Sequence, residues 1–196
     1  MTGVPVARCG ECLRTPPPLD ACLAAVGYEY PWSGCITDYK FGGDPGWASA
    51  LATLLRSTPW VEPALESADL LLPMPLSAQR LQERGFNQAL LLARALSPAK
   101  TDSGLLLRIR DTAHQTGLDR ALRMRNLHGA FAVEPLRADL LRGKRVVLVD
   151  DVMTSGASLY TAAAVLRQAG VAHITGMVVA RTEAGRKDHA ITSHHG

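Results

Sequence analysis

Apolar residues along this chain gather in short blocks, set apart by glycines, prolines and polar runs. Ala21 to Tyr28 is apolar enough for a strand, and Leu70-Leu71-Leu72 predicts a second, short and buried, stopped by Pro73 and Pro75. Between them Gly42-Gly43 breaks the chain, and Trp47, Leu51 and Leu54 recur at helical spacing, which predicts a helix from about Asp44 to Arg56. Asn87 is placed to cap a helix through Ala95, with Ala89, Leu90, Ala93 and Arg94 fitting a half-buried surface. Leu105 to Arg108 predicts another strand, whereas Arg110 to Ala130 is polar, rich in arginine and aperiodic, and reads as a long loop. The strongest pattern comes next. Arg145 to Val149 is a buried strand, the stripe Leu159, Ala162, Ala163, Leu166 and Ala169 a helix ended by Gly170, and Ile174 to Val179 a further strand. Alternating strands and helices predict an α/β fold with a mostly parallel sheet flanked by helices.

Composition narrows this only a little. A chain of 196 residues suits one sizeable domain with a small appendage, and 47% hydrophobic with 20% charged residues is ordinary for a soluble protein. There is no apolar run of 18 residues, so no membrane span is expected, and the first residues lack the apolar stretch of a signal peptide. A cytoplasmic location is the resulting expectation. Charge is more informative by its placement than by its net value of +3. Gln79 to His128 holds nine Lys and Arg against four Asp and Glu, a local excess of +5 that leaves −2 elsewhere. A basic middle of this kind suits an anionic partner, phosphate or nucleic acid.

Val146 to Ser158, VVLVDDVMTSGAS, joins the strongest strand to the strongest helix. In open parallel sheets ligands bind beyond the carboxyl ends of the strands, which is where Asp150 and Asp151 are expected. Thr154, Ser155, Gly156, Ala157 and Ser158 then offer backbone N–H groups and three hydroxyls to one anion at a helix N-terminus, with Gly156 allowing close approach. The turn suits a 5′-phosphate and the carboxylates suit sugar hydroxyls, which are donors. Neither a G-x-x-x-x-G-K-[ST] phosphate loop nor a G-x-G-x-x-G dinucleotide fingerprint occurs.

This segment resembles the ribose-phosphate loop of type I phosphoribosyltransferases, and three others narrow the resemblance to the ComF/GntX family. They are Tyr39-Lys40-Phe41-Gly42-Gly43, the run Pro73-Met74-Pro75-Leu76 leading to Arg80 and Arg84-Gly85-Phe86-Asn87-Gln88, and the region from Gln115 through Arg125-Asn126 to Phe131. The resemblance implies a type I phosphoribosyltransferase fold over residues 19–181, with a cysteine-bearing head at 1–18, before or within the linker Pro16-Pro17-Pro18, and a polar tail at 182–196. It implies a site for Mg²⁺-phosphoribosyl pyrophosphate, in which Asp150 and Asp151 hold the ribose, Thr154 to Ser158 the 5′-phosphate, and Arg80 and Arg84 the pyrophosphate. Asp150, Asp151, Arg80 and Arg84 would then be the catalytic set, with Arg120, Arg123 and Arg125 in a flexible hood. The expected reaction is transfer of ribose 5-phosphate to an unidentified nitrogen acceptor with release of pyrophosphate. Two other readings stay open: a protein that keeps the site to sense a nucleotide without turnover, and a competence protein whose basic middle meets nucleic acid during DNA uptake.

Cys9 and Cys12 have the C-x-x-C spacing of a zinc or redox pair. The family usually carries two such pairs, and Cys9/Cys12 resembles the later one, so the head reads as a truncated zinc ribbon. Cys22 and Cys35 follow at spacings that suit no four-cysteine ribbon and are expected to be small buried hydrophobes. Zinc is therefore not expected to be held by this chain.

Overall fold

The structure is a computed structural model and describes residue 14, residues 16–110 and residues 129–182. Among the described residues twelve elements and two short 3₁₀ segments follow one another. They are β1 (Ala21–Gly27), α1 (Trp32–Phe41), α2 (Trp47–Arg56), α3 (Val61–Ser67), β2 (Leu70–Pro73), α4 (Ala78–Arg84), α5 (Gln88–Leu96), β3 (Leu106–Arg108), β4 (Phe131–Val133), β5 (Arg145–Met153), α6 (Ala157–Gln168) and β6 (His173–Arg181). β1, β6, β5 and β2 form one parallel sheet in that order.

Strand alternation sorts the core into two layers. Val147, Val149, Met177 and Val179 pack with α1, α2, α3 and α5, whereas Val146, Leu148, Ile174 and Val178 pack with α6 and the β3–β4 hairpin. Helices on both faces explain why β5 and β6 are near-continuous apolar runs.

Several expectations need correction. The helix expected from Asp44 starts at Trp47, because the Asp44 carboxylate accepts the Gly46 N–H at 2.8 Å and closes a turn first. Leu106 to Arg108 pairs antiparallel with Phe131 to Val133, outside the parallel sheet. β5 runs four residues beyond its expected end at Val149, carrying both aspartates inside the strand. Helices α1 and α3 were not foreseen. Cys22 and Cys35 are half-buried, the Cys22 thiol lying 3.5 Å from the Met153 sulfur. Cys9, Cys12, Arg120, Arg123, Arg125 and the polar tail lie outside the described residues.

Candidate functional site

β5 outreaches one of its neighbours. Its pairing with β2 ends at Pro73 opposite Val149, while its pairing with β6 continues to Met153 opposite Arg181. From Asp150 onward one edge of β5 is thus a ledge, bordered by the chain that leaves β2. That chain is held close: Met74 N–H reaches the Val149 carbonyl at 2.9 Å, and the Asn87 amide donates to the Met74 carbonyl at 3.1 Å.

Asp150 and Asp151 stand on this ledge under opposing influences. Asp151 is buried, and its carboxylate takes the Lys40 ammonium at 3.1 Å. The Asp150 carboxyl is pushed up to about 7, first by burial and then by the negative Asp151 beside it; the Asp151 N–H, Lys40 and Arg84 offset part of this. Burial, with the charge of Asp151 added, also raises the Tyr39 hydroxyl, which donates to the Gln88 carbonyl at 2.7 Å. A carboxyl that titrates near neutrality can accept from a sugar hydroxyl in one state and donate in the other.

The turn after the ledge is built around Gly156. Its φ of +78° lies in the left-handed region, and a Cβ there would fall 2.6 Å from the Met153 methyl and 2.7 Å from the Tyr160 ring. No side chain caps the first turn of α6; the nearest approach is the Ser155 hydroxyl, 3.5 Å from the Ala157 N–H. Thr154 is exposed, Ser155 and Ser158 half-buried, and Ala157 buried. The turn thus offers hydroxyls and backbone donors at a helix N-terminus, a combination that binds phosphate.

Arg80 and Arg84 sit on α4, a seven-residue helix capped by the Ser77 hydroxyl, which accepts the Arg80 N–H at 3.3 Å. Burial, then repulsion from Arg84, lowers the pKa of Arg80, while Asp150, Glu83 and Asp151 act the other way. Arg84 donates to the Gln88 side chain at 3.0 Å and lies over the Phe41 ring, 5.4 Å from its centre. Gln88 in turn donates to the Lys40 carbonyl at 3.4 Å. The segments Tyr39 to Gly43 and Arg84 to Gln88, distant in sequence, therefore form one wall facing the aspartates.

Lys40 is the functional candidate that sequence reasoning missed. It stood inside a quoted segment, but nothing in the spacing tied it to Asp151. Among the described residues no three His, Cys, Asp or Glu side chains converge on a possible metal position. Mg²⁺ that arrives with a pyrophosphate needs no such cage, because phosphate oxygens and water supply most ligands. Asp150 and Asp151 are the oxygen donors here that fit that lighter role.

Residues 110–193 match the family described as phosphoribosyl transferase domain. The chain is 36% identical over 186 residues to DNA utilization protein YhgH of Escherichia coli O6:H1, covering 89% of this chain and 78% of that protein. It is 33% identical over 175 residues to competence protein F of Haemophilus influenzae, covering 85% and 75%. A solved structure of the allosteric regulatory enzyme of purine biosynthesis aligns with 74% of this chain, at 21% identity and a TM-score of 0.43, and the chain spans only 30% of that larger one. With its parallel sheet and ribose-phosphate-type turn, the molecule is an α/β protein of the type I phosphoribosyltransferase class. Within that class the chain belongs to the ComF/competence-protein family. No helix among the described residues is long and apolar enough to cross a membrane.

Proposed function

We propose that this protein binds phosphoribosyl pyrophosphate, or the ribose 5-phosphate of a nucleotide, and uses that site in the handling of DNA. The observation that carries the reading is the sequence of features along one strand end: the Asp150–Asp151 pair neutralised by Lys40, then the left-handed Gly156 turn opening α6. The relatives named for DNA utilization and competence favour a role in DNA use, and the basic stretch from Gln79 to His128 suits a polyanion. In this reading Thr154 to Ser158 take the 5′-phosphate, Asp150 and Asp151 the ribose hydroxyls, and Arg80 and Arg84 the pyrophosphate. Bound Mg²⁺ would neutralise charge on that pyrophosphate. Arg120 and Arg125, outside the described residues, are proposed to contact it as well.

The test is calorimetric titration of Mg²⁺-phosphoribosyl pyrophosphate into the wild type and into Asp150→Asn and Asp151→Asn. Each carboxylate hydrogen bond is worth about 1.5–3 kcal/mol, so each variant is expected to bind roughly ten- to a hundredfold more weakly. Equal affinity in all three proteins removes the aspartates from the ribose site.

A second reading, transfer of the ribose phosphate to a nitrogen acceptor, is favoured by one observation. Burial and the neighbouring Asp151 push the Asp150 carboxyl up to about 7, which suits a group that exchanges a proton with a reacting ligand. Pyrophosphate release with a panel of bases and amines decides between binding and turnover. Release that depends on both an acceptor and Asp150 establishes transfer.

A further inference from the structure

Gln88 has only 1% of its surface exposed, less than Ser77, Asp151 or Thr175, the other buried polar residues among those described. An amide this deep must find partners for its donor and its acceptor. Gln88 finds both on the segments that carry the cations of the site. Its Oε1 accepts from Arg84 at 3.0 Å, and its Nε2 donates to the Lys40 carbonyl at 3.4 Å. Its own carbonyl accepts from the Tyr39 hydroxyl at 2.7 Å, so α1 is gripped at two successive residues. The amide also has a fixed footing on β5. Asn87 caps α5 and donates to the Met74 carbonyl, and the Met74 N–H binds the carbonyl of Val149, the residue before Asp150. A short path of hydrogen bonds thus runs from the strand of the aspartates, through Gln88, to both α1 and Arg84.

Long cationic side chains resist being fixed, because they give up more rotamer freedom than most, and Arg84 is also repelled by Arg80. The charges that act on Asp150 are Asp151 on its own strand, Lys40 on α1, and Arg80 and Arg84 on α4. β6 sets the uncharged Val178 beside it, and the one charged residue of α5, Arg94, is exposed. Two of the three cations in that set are the ones Gln88 holds. Resting on the ribose-phosphate reading above, we propose that Gln88 is the positioning residue of that site, its single amide keeping Lys40 and Arg84 at a fixed distance from Asp150 and Asp151.

The first measurement is made on the full chain without ligand. The Asp150 carboxyl is followed against pH by carbon NMR in the wild type, Gln88→Met, Arg84→Met and the double variant. Methionine keeps the buried volume and removes both side-chain bonds, so the Asp150 midpoint is expected to rise by about one unit, the low end of what a neighbouring cation exerts. The Asp20 midpoint, read in the same spectra at the far end of the sheet, is expected to stay in place and reports an intact fold. Once Arg84 is gone, removing Gln88 is expected to add a smaller rise than it does alone. An Asp150 midpoint that does not move in Gln88→Met, or a rise undiminished in the Arg84→Met background, overturns the proposal. If loss of the buried amide unfolds the chain, Tyr39→Phe, which removes only the bond to the Gln88 carbonyl, serves in its place with the same direction expected at smaller size. The second measurement is calorimetry with Mg²⁺-phosphoribosyl pyrophosphate, which is expected to bind Gln88→Met at least about tenfold more weakly, the order of one charge-assisted hydrogen bond. Equal affinity in the two proteins overturns the positioning role and leaves the ribose-phosphate reading standing. A raised Asp150 midpoint in a protein whose wild type binds neither this ligand nor ribose 5-phosphate keeps Gln88 as the holder of the two cations and overturns the ribose-phosphate reading.

Discussion

The two ends of the parallel sheet treat the same residue type in opposite ways. At the amino end, burial works against the charge of Asp20, but the Ile174 N–H at 2.7 Å and the Arg167 guanidinium outweigh it and hold its pKa below the ordinary carboxylate value. Asp69 there accepts the Arg145 N–H at 2.8 Å, and that bond, with Lys144 beyond it, lowers its pKa as well. At the carboxyl end Asp150 is raised, by burial and by Asp151. Carboxylates at one end tie strand starts to their neighbours. Asp150 at the other end is held at a cost to its ionised form, as a group awaiting a donor from a ligand would be. The contrast separates carboxylates that stabilise the fold from the pair proposed above to meet a ligand.

The largest expected effect is at the turn beyond the raised aspartate. Gly156→Ala forces a side chain into a left-handed position already filled by Met153 and Tyr160. It is expected to displace backbone donors from the phosphate; two charge-assisted hydrogen bonds at about 1.5–3 kcal/mol each make a loss of roughly a hundredfold or more. Titration with ribose 5-phosphate measures it, with circular dichroism confirming the fold.

Next in size, the two ends can be set against each other directly. Asp20→Ala removes the acceptor for Ile174 and Arg167 and is expected to destabilise the protein by about 1–3 kcal/mol in urea melts while leaving ligand affinity unchanged. Asp150→Asn is expected to do the reverse, weakening ligand binding while leaving stability equal or higher, since it removes a carboxyl that burial disfavours. Matching losses of stability in both variants would abolish the distinction between the two ends.

A smaller effect sharpens the same contrast by pH. The folded-state pKa of Asp150 is raised, so its contribution to stability is present below the ordinary carboxylate pKa of 3.8 and is lost as pH rises through about 7. Asp20 and Asp69 are lowered, so theirs is present above that ordinary value and lost as pH falls through their folded-state pKa. Urea melts from about pH 2 to pH 8 should show wild-type stability eroding from about pH 4 to pH 7, and Asp150→Asn should flatten that stretch without altering the acid limb below it. The smallest effect expected is that of Asn87→Ala, which loses the cap on α5 and the clamp on the Met74 carbonyl, at about 1 kcal/mol.

What could be read in advance was local. β5, α6 and β6 are long, strongly patterned and consecutive, and the Gly156 turn joins β5 to α6 in one unbroken stretch, so residue order alone displayed the elements and their connection. Helix α1 escaped because it buries only Ile36 and Tyr39 fully and begins at Pro31 with no side-chain cap. α3 is seven residues long and opens after Trp60 at a φ of 71°, too short and too irregular for periodicity to reveal. The β3–β4 hairpin joins three-residue strands from either side of a long polar stretch, and such pairing leaves no local trace. Lys40 belongs with these. Its partner lies beyond three further strands and four further helices of the described chain, and only the packing of α1 against the sheet makes them neighbours. The resemblance named the segments Tyr39 to Gly43 and Arg84 to Gln88 separately, but it could not show that Lys40 reaches Asp151 or that Arg84 rests on Phe41.

The Gln88 side chain has a consequence of an evolutionary kind. One amide joins two segments, its nitrogen donating to the Lys40 carbonyl and its oxygen accepting from Arg84. A descendant that replaces it with an aliphatic residue leaves a half-buried guanidinium without that acceptor and frees the end of α1 in the same step. Glutamate would keep the acceptor for Arg84 and lose the donor to the Lys40 carbonyl. The two segments are therefore not free to drift separately. Lineages that abandon the glutamine should be those that also change the arginine four residues before it, and with it whatever the aromatic residue at position 41 was holding.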